Sequence, residues 1–189
     1  MKFTLLVYFF FSLLSCATMS KSATGTGSIS KFSHWRTGKD SLTVQLIPIT
    51  GHDPLVDEDN KIIVHVKFNV KQYGEVSFPI SNETLEGTEA LKVDLSKSKS
   101  IRITYKSNQK LVVQLRQTGV HGGVHNHIRL PTAKEYISVV IPFTEFKGGM
   151  KPLDLTNVAK FNFAFLSNNE LDGYAELKIR DFEIDGYEK

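Results

Sequence analysis

Hydrophobic and polar positions alternate with a period of two along most of the chain. No helical period runs longer than about two turns. The clearest strand is Ile62 to Val70, in which Ile62, Val64, Val66, Phe68 and Val70 face one way and Ile63, His65, Lys67 and Asn69 the other. Ile137 to Phe143 is rich in β-branched and aromatic residues, the composition of a half-buried strand. Phe161, Phe163 and Phe165 alternate with Asn162 and Ala164, so three rings share one face. Such a face needs a thick apolar partner, most simply a second sheet. The pattern predicts an all-β fold, an antiparallel β-sandwich of the jelly-roll kind, organised around Tyr136 to Leu166.

Further strands are expected at Ser41 to Ile49, Glu75 to Ile80 (a short strand or an edge), Ile101 to Tyr105, Leu111 to Gln117 and Ala175 to Ile184. Ala90 to Leu95 is weaker and is expected to pair with another segment. About eight or nine strands at regular spacing fit a jelly roll better than an open sheet. Lys106 to Gln109 reads as the turn of a hairpin between its flanking strands. Lys147, Gly148, Gly149 and Pro152 are turn chemistry, and short helical turns are expected at Phe143 to Phe146 and near Leu155 to Val158. Gly51 to Asn60 reads as a polar loop, and Thr118 to Pro131 as a loop or a strand with irregular ends.

Several of these segments carry a family resemblance. Ile141-Pro142-Phe143 with Phe146, then Pro152-Leu153-Asp154-Leu155 with Val158, then the Phe-rich strand, resemble the C-terminal half of galactose-binding-like jelly-roll domains. The resemblance is in particular to family 11 carbohydrate-binding modules, and the complex I intermediate-associated protein 30 family shares that architecture. Ile101 to Tyr105, Leu111 to Gln117 and the closing strand Ala175 to Ile184 fit the same pattern, so the resemblance covers roughly Leu91 to Ile184. It implies a sugar cleft beside the loop that follows Leu111 to Gln117. It also implies a structural calcium built from an early loop and a late acidic residue, for which Asp57, Glu58, Asp59 and Asp181 are the candidates. Asp57 to Asp59 lack the spacing of a dedicated calcium loop, and a solvated turn is the simpler reading there. No other cofactor is expected.

The N-terminus changes the domain picture. Lys2, the apolar run Phe3 to Leu14 and Leu13-Leu14-Ser15-Cys16 read as a secretory signal peptide over residues 1–15. Its end resembles a bacterial lipobox, in which Cys16, the one cysteine of the chain, becomes the lipidated N-terminus. The expected location is therefore the bacterial cell envelope or surface, held to the membrane by a lipid anchor only. An ordinary cleaved signal is the alternative. Ala17 to Ser33 is dense in Ser, Thr, Gly and Lys and reads as a flexible tether over 16–33. Residues 34–189 are the size of one domain. Without Lys2 the 23 basic residues become 22, against 20 acidic. That balance gives no support for nucleic-acid binding.

Candidate chemistry concentrates in Gly119 to Arg129, which holds three of the six histidines. His125 and His127 share one face of a strand, and their spacing matches the opening of the cupin metal motif. The Glu expected next is missing, with Pro131 and Thr132 in its place, and no His follows His127. His121 is the remaining candidate for a third ligand, and the metal assignment stays unknown. The other reading is a sugar groove. Gln114 and Arg116 alternate with Leu115 and lie opposite the core, His121, His125, Asn126 and His127 line the adjoining loop, and Asn162 joins them from the Phe-rich strand. Polar residues on the outside of a sheet are also the default pattern. Trp35, Tyr73, Tyr105, Tyr136 and Tyr174 are candidate stacking rings. Core packing is favoured for Trp35, and Tyr105 shares parity with Ile101 and Ile103.

No nucleophile–base pattern, phosphate loop or facing pair of carboxylates appears, which argues against an enzyme. The expected function is a carbohydrate-binding lipoprotein domain whose partner is a polysaccharide or oligosaccharide. The alternatives are a scaffold that binds a protein through its sandwich face and a cupin-like metal-dependent enzyme.

Overall fold

A computed structural model describes residues 35–47, 55–56, 62–81, 91–120, 122–166 and 174–187. The signal peptide, the tether, Cys16, Asp57, Glu58, Asp59 and His121 lie outside the described residues. Eleven strands follow one another: β1 Arg36–Lys39, β2 Val44–Ile47, β3 Leu55–Val56, β4 Ile62–Asn69, β5 Tyr73–Pro79, β6 Ser100–Ser107, β7 Leu111–Gln117, β8 Asn126–Leu130, β9 Ala133–Pro142, β10 Val158–Leu166 and β11 Ala175–Ile184. They form two antiparallel sheets. The first has the order β1-β5-β10-β7-β8, the second β2-β4-β11-β6-β9, with β3 beside β4. From β4 onward almost every step along the chain changes sheet, the path of a jelly roll.

The core lies between the sheets. Phe161, Phe163 and Phe165 of β10 are fully buried, as are Val64, Val66 and Phe68 of β4. Phe163 meets Phe78 and Phe182 edge-on, both at 5.3 Å between ring centres. Phe161 meets Phe182 at 5.2 Å. Edge-to-face pairs add about 0.5–1.5 kcal/mol each beyond area burial. Phe143 and Phe146, the two rings of the IPF-x-x-F segment, open and follow a 3-10 turn, Phe143–Glu145. Both are buried, and both pack on Phe161 at 6.4 Å. A second 3-10 turn, Leu155–Asn157, is capped by Asp154, whose carboxylate accepts from Thr156 N at 3.0 Å. Both short helical turns fall where the sequence predicts them.

Two expectations need correction, and two further segments take a form the sequence did not specify. Lys106 to Gln109 is not a hairpin turn, because β6 pairs with β9 and β11 in the second sheet while β7 lies in the first. The turn residues reverse the chain, but Asn108 ties the corner to β11 instead, its N–H donating to Glu176 O and its Oδ1 accepting from Glu176 N at 2.7 Å. In β2 the apolar set faces outward: Leu42, Val44 and Leu46 are exposed while Thr43 is buried. Asp40 decides that orientation. Its carboxylate accepts from the N–H groups of Leu42 and Thr43, from the Thr43 hydroxyl, and from Gln72 N and Tyr73 N. The Thr43 hydroxyl in turn accepts from Lys71 N at 2.8 Å. Burial raises the Asp40 pKa, but these donors outweigh it and hold the carboxyl well below its usual range. Of the two readings of Glu75 to Ile80, the short strand holds: β5 is an interior strand between β1 and β10. β3 interrupts the loop expected over residues 51–60. Ala90 to Leu95 does find a partner, through a single bridge between Val93 and Val158.

Candidate functional site

The register of the first sheet brings one polar row onto its outer face. Arg36 pairs with Ser77, Ser77 with Asn162, Asn162 with Gln114 and Gln114 with His127. An isolated bridge then sets Lys147 against His127. Paired residues of antiparallel strands share a face. The row therefore crosses all five strands and one flanking segment, about 24 Å at ~4.8 Å per strand. On one side of it a second row holds Pro79, Lys160 and Arg116. On the other, Gly38, Glu75, Ala164, Val112 and Arg129 form a third.

Asn162 is fully buried at the centre of this face. Its Oδ1 accepts from the Ser77 hydroxyl at 2.8 Å and its Nδ2 donates to Glu75 Oε2 at 3.0 Å. It is thus a fixed part of the floor that holds Ser77 and Glu75. Gly38 lets the Glu75 carboxylate lie across β1, since a Cβ there would stand 3.0 Å from Oε1. Gln114 and Arg116 are half-buried on the same face, as the alternation of β7 predicts.

β8 divides the remaining candidates. His127 is half-buried beside Gln114, and its Nδ1 donates to His125 O at 2.9 Å. A carbonyl only accepts, so the proton sits on Nδ1 and Nε2 is the acceptor of the neutral ring. His125 is only 5% exposed. Burial first, then the charges of Arg116 and Lys160, push its pKa down to about 4. Asn126 does not join the row, because its register partner Leu115 faces the core. Its side chain staples the following loop: Nδ2 donates to Lys151 O at 3.0 Å and to Gln117 Oε1 at 3.3 Å, and Oδ1 accepts from Gly149 N at 3.1 Å.

The stacking rings are dispersed. Trp35 is buried in the core. Tyr105 is buried too, its hydroxyl donating to Pro131 O at 2.9 Å, and burial pushes its pKa up to about 12. Tyr136 lies under Arg180, and Tyr174 under Lys67 with Nζ 3.6 Å from the ring centre, both pairs on the second sheet. Tyr73, opposite Leu166 at the margin of the first sheet, remains exposed.

Among the described residues no three His, Cys, Asp or Glu side chains come together as metal ligands. Arg116 and Lys160 beside His125 also oppose a cation there. Asp181 follows a bulge in β11, where burial first and then neighbouring Glu183 raise its pKa.

Sequence reasoning missed Arg36, Glu75, Ser77, Arg129 and Lys160 on this face. For Glu75 and Ser77 the signal was present in their alternation with Val76 and Phe78. For the others, nothing local showed which strands become neighbours.

The chain has the jelly-roll fold seen in solved family 11 carbohydrate-binding modules, the fold that the resemblance implies. The family 11 carbohydrate-binding module of the cellulosomal cellulase Lic26A-Cel5E of Clostridium thermocellum is similar with a TM-score of 0.56 and 17% identity, over 89% of this chain and 99% of that one. A family 11 module of Clostridium thermocellum in complex with a β-1,3-1,4-mixed-linked tetrasaccharide is similar with a TM-score of 0.59 and 16% identity, over 89% of this chain and 100% of that one. No protein-family model matches the chain, and no curated protein sequence matches it.

Proposed function

We propose that the outer face of the first sheet binds a polysaccharide or oligosaccharide and catalyses no reaction on it. The polar row from Arg36 to Lys147 carries this reading, because it lines an entire sheet face of a fold shared with a module solved around a tetrasaccharide. Gln114, Arg116 and His127 offer donors and acceptors to sugar hydroxyls, and Asn162 keeps Ser77 and Glu75 in place beneath them. A glycosidase needs two carboxylates across its cleft, whereas Glu75 is the one carboxylate these rows hold among the described residues. A glycan array probed with the purified protein tests the reading. Arg116→Ala should weaken any binding found by about ten- to a hundredfold, the effect of losing one charge-assisted hydrogen bond, with melting temperature unchanged. Absence of binding across a broad array removes the support for the reading.

In this reading the protein is displayed at the cell envelope through a lipid on Cys16, an assignment that rests on the Leu-Leu-Ser-Cys segment. Cys16→Ser should leave a full-length precursor or release the protein from the membrane fraction, and the firm retention of the wild type would require more than one acyl chain. Unchanged retention together with unchanged mature size contradicts the anchor. The scaffold reading has one observation in its favour, the exposed Leu42, Val44 and Leu46 on β2. Recovery of one stoichiometric protein partner, lost in Val44→Lys, would favour it.

A further inference from the structure

The two outer faces of the sandwich differ in how they handle charge. On the second sheet, cations and carboxylates neutralise one another: Arg102 with Glu183 at 4.0 Å, Lys106 with Glu135 at 3.9 Å and Lys178 with Glu176 at 3.9 Å, and Glu176 also meets His65 Nε2 at 2.6 Å. The outer face of the first sheet has Arg36, Arg116, Arg129, Lys147 and Lys160 in its three rows, against the single carboxylate of Glu75. That carboxylate is already taken up by Asn162 and leans over Gly38. Arg36, Arg116, Arg129 and Lys147 form no ion pair among the described residues.

From this asymmetry we infer that the ligand of the face is an acidic polysaccharide, one bearing carboxylate or sulfate groups along its chain. The inference rests on the carbohydrate reading above and narrows it. A neutral glycan would leave the four unpaired cations Arg36, Arg116, Arg129 and Lys147 unanswered. Guanidinium groups match carboxylate and sulfate oxygens two at a time, which a hydroxyl does not. Arg36 and Lys147 stand at opposite ends of the central row, so the anion they answer is extended rather than a single sugar. Stacked bases would call for exposed rings across the face. Tyr73, at its margin, is the one exposed aromatic side chain the described residues place there, so nucleic acid is the poorer fit.

Affinity electrophoresis and calorimetry of the full protein test the inference. The probes are polygalacturonate, alginate, hyaluronan and chondroitin sulfate, each beside its methyl-esterified or desulfated counterpart. Mixed-linkage β-glucan, polyglutamate and single-stranded DNA complete the set. At least one acidic polysaccharide should bind about tenfold or more tightly than its neutralised counterpart, with affinity falling steeply as salt is raised. Arg116→Gln and Arg129→Gln should each lower acidic-glycan binding about tenfold without lowering the melting temperature. Lys106→Gln, on the second sheet, should leave it unchanged. Equal binding of acidic and neutralised forms, or binding of mixed-linkage β-glucan alone, overturns the inference and leaves the carbohydrate reading standing. Equal binding of polyglutamate or DNA overturns both, as does binding to none of the probes at low salt.

Discussion

Lowering the pH from 7 to 5 should cost the domain about 2 kcal/mol through His125 alone. His125 is buried beside Arg116 and Lys160, and its folded-state pKa is about 4, against 6.5 for an ordinary imidazole. The unfolded chain therefore takes up a proton as pH falls through 6.5, while the folded protein stays unprotonated there until about 4. Stability from this group is fully present above pH 6.5 and drains away between 6.5 and 4, by about 3 kcal/mol in all at 1.36 kcal/mol per pH unit. Carboxylates add their own acid sensitivity, so the assay compares urea melts of wild type and His125→Gln at pH 7.5, 6, 5 and 4.5. The difference between the two curves isolates the imidazole. Arg116→Gln, by removing one of the two charges, should raise the His125 midpoint followed by NMR. A folded-state midpoint at or above 6.5, or identical pH dependence in the His125→Gln variant, would refute the reasoning.

Phe163→Ala should destabilise the protein by about 3–5 kcal/mol through lost burial and the cavity left between Phe78 and Phe182. A urea midpoint unchanged within error would show that the ring is not packed as described. Gly149→Ala should cost about 1–3 kcal/mol, because the new Cβ would stand 2.7 Å from Asn126 N. Wild-type stability in that variant would mean that residues 147–151 do not close on Asn126.

Period and parity made the core legible from the sequence. Three phenylalanines at alternate positions of β10 can face only one way, and a second sheet is the simplest way to cover them. The same parity placed Gln114 and Arg116 opposite Leu115. Parity alone does not say which side meets the core, and at β2 the hydrogen bonds that Asp40 and Thr43 make to the backbone leave Leu42, Val44 and Leu46 outward. The expectation at residues 106–109 failed for another reason: turn chemistry specifies a reversal, not the strand that comes to lie alongside. The face itself was half visible. Arg116 and Lys160 are neighbours through pairing of β7 with β10, and Arg36 meets Ser77 through β1 and β5. No local pattern encodes pairings between segments so far apart in sequence, so the segregation of charge between the two sheets appears only once the fold is closed. Asn126 is a subtler case. It lies between two histidines of the outer face, yet parity turns it toward Leu115, where it staples the loop that carries Lys147.

In the proposed reading the outer face of the first sheet is the saccharide-binding surface. Amide chemical-shift mapping of the labelled protein tests it most directly, with a galacturonate hexamer and the β-1,3-1,4-mixed-linked tetrasaccharide titrated in separately. Saturable shifts are expected on β5, β10, β7 and β8, centred on Gln114, Arg116 and His127, with β4, β6, β9 and β11 unmoved. Shifts confined to the second sheet, or no saturable shift with either sugar, would contradict it.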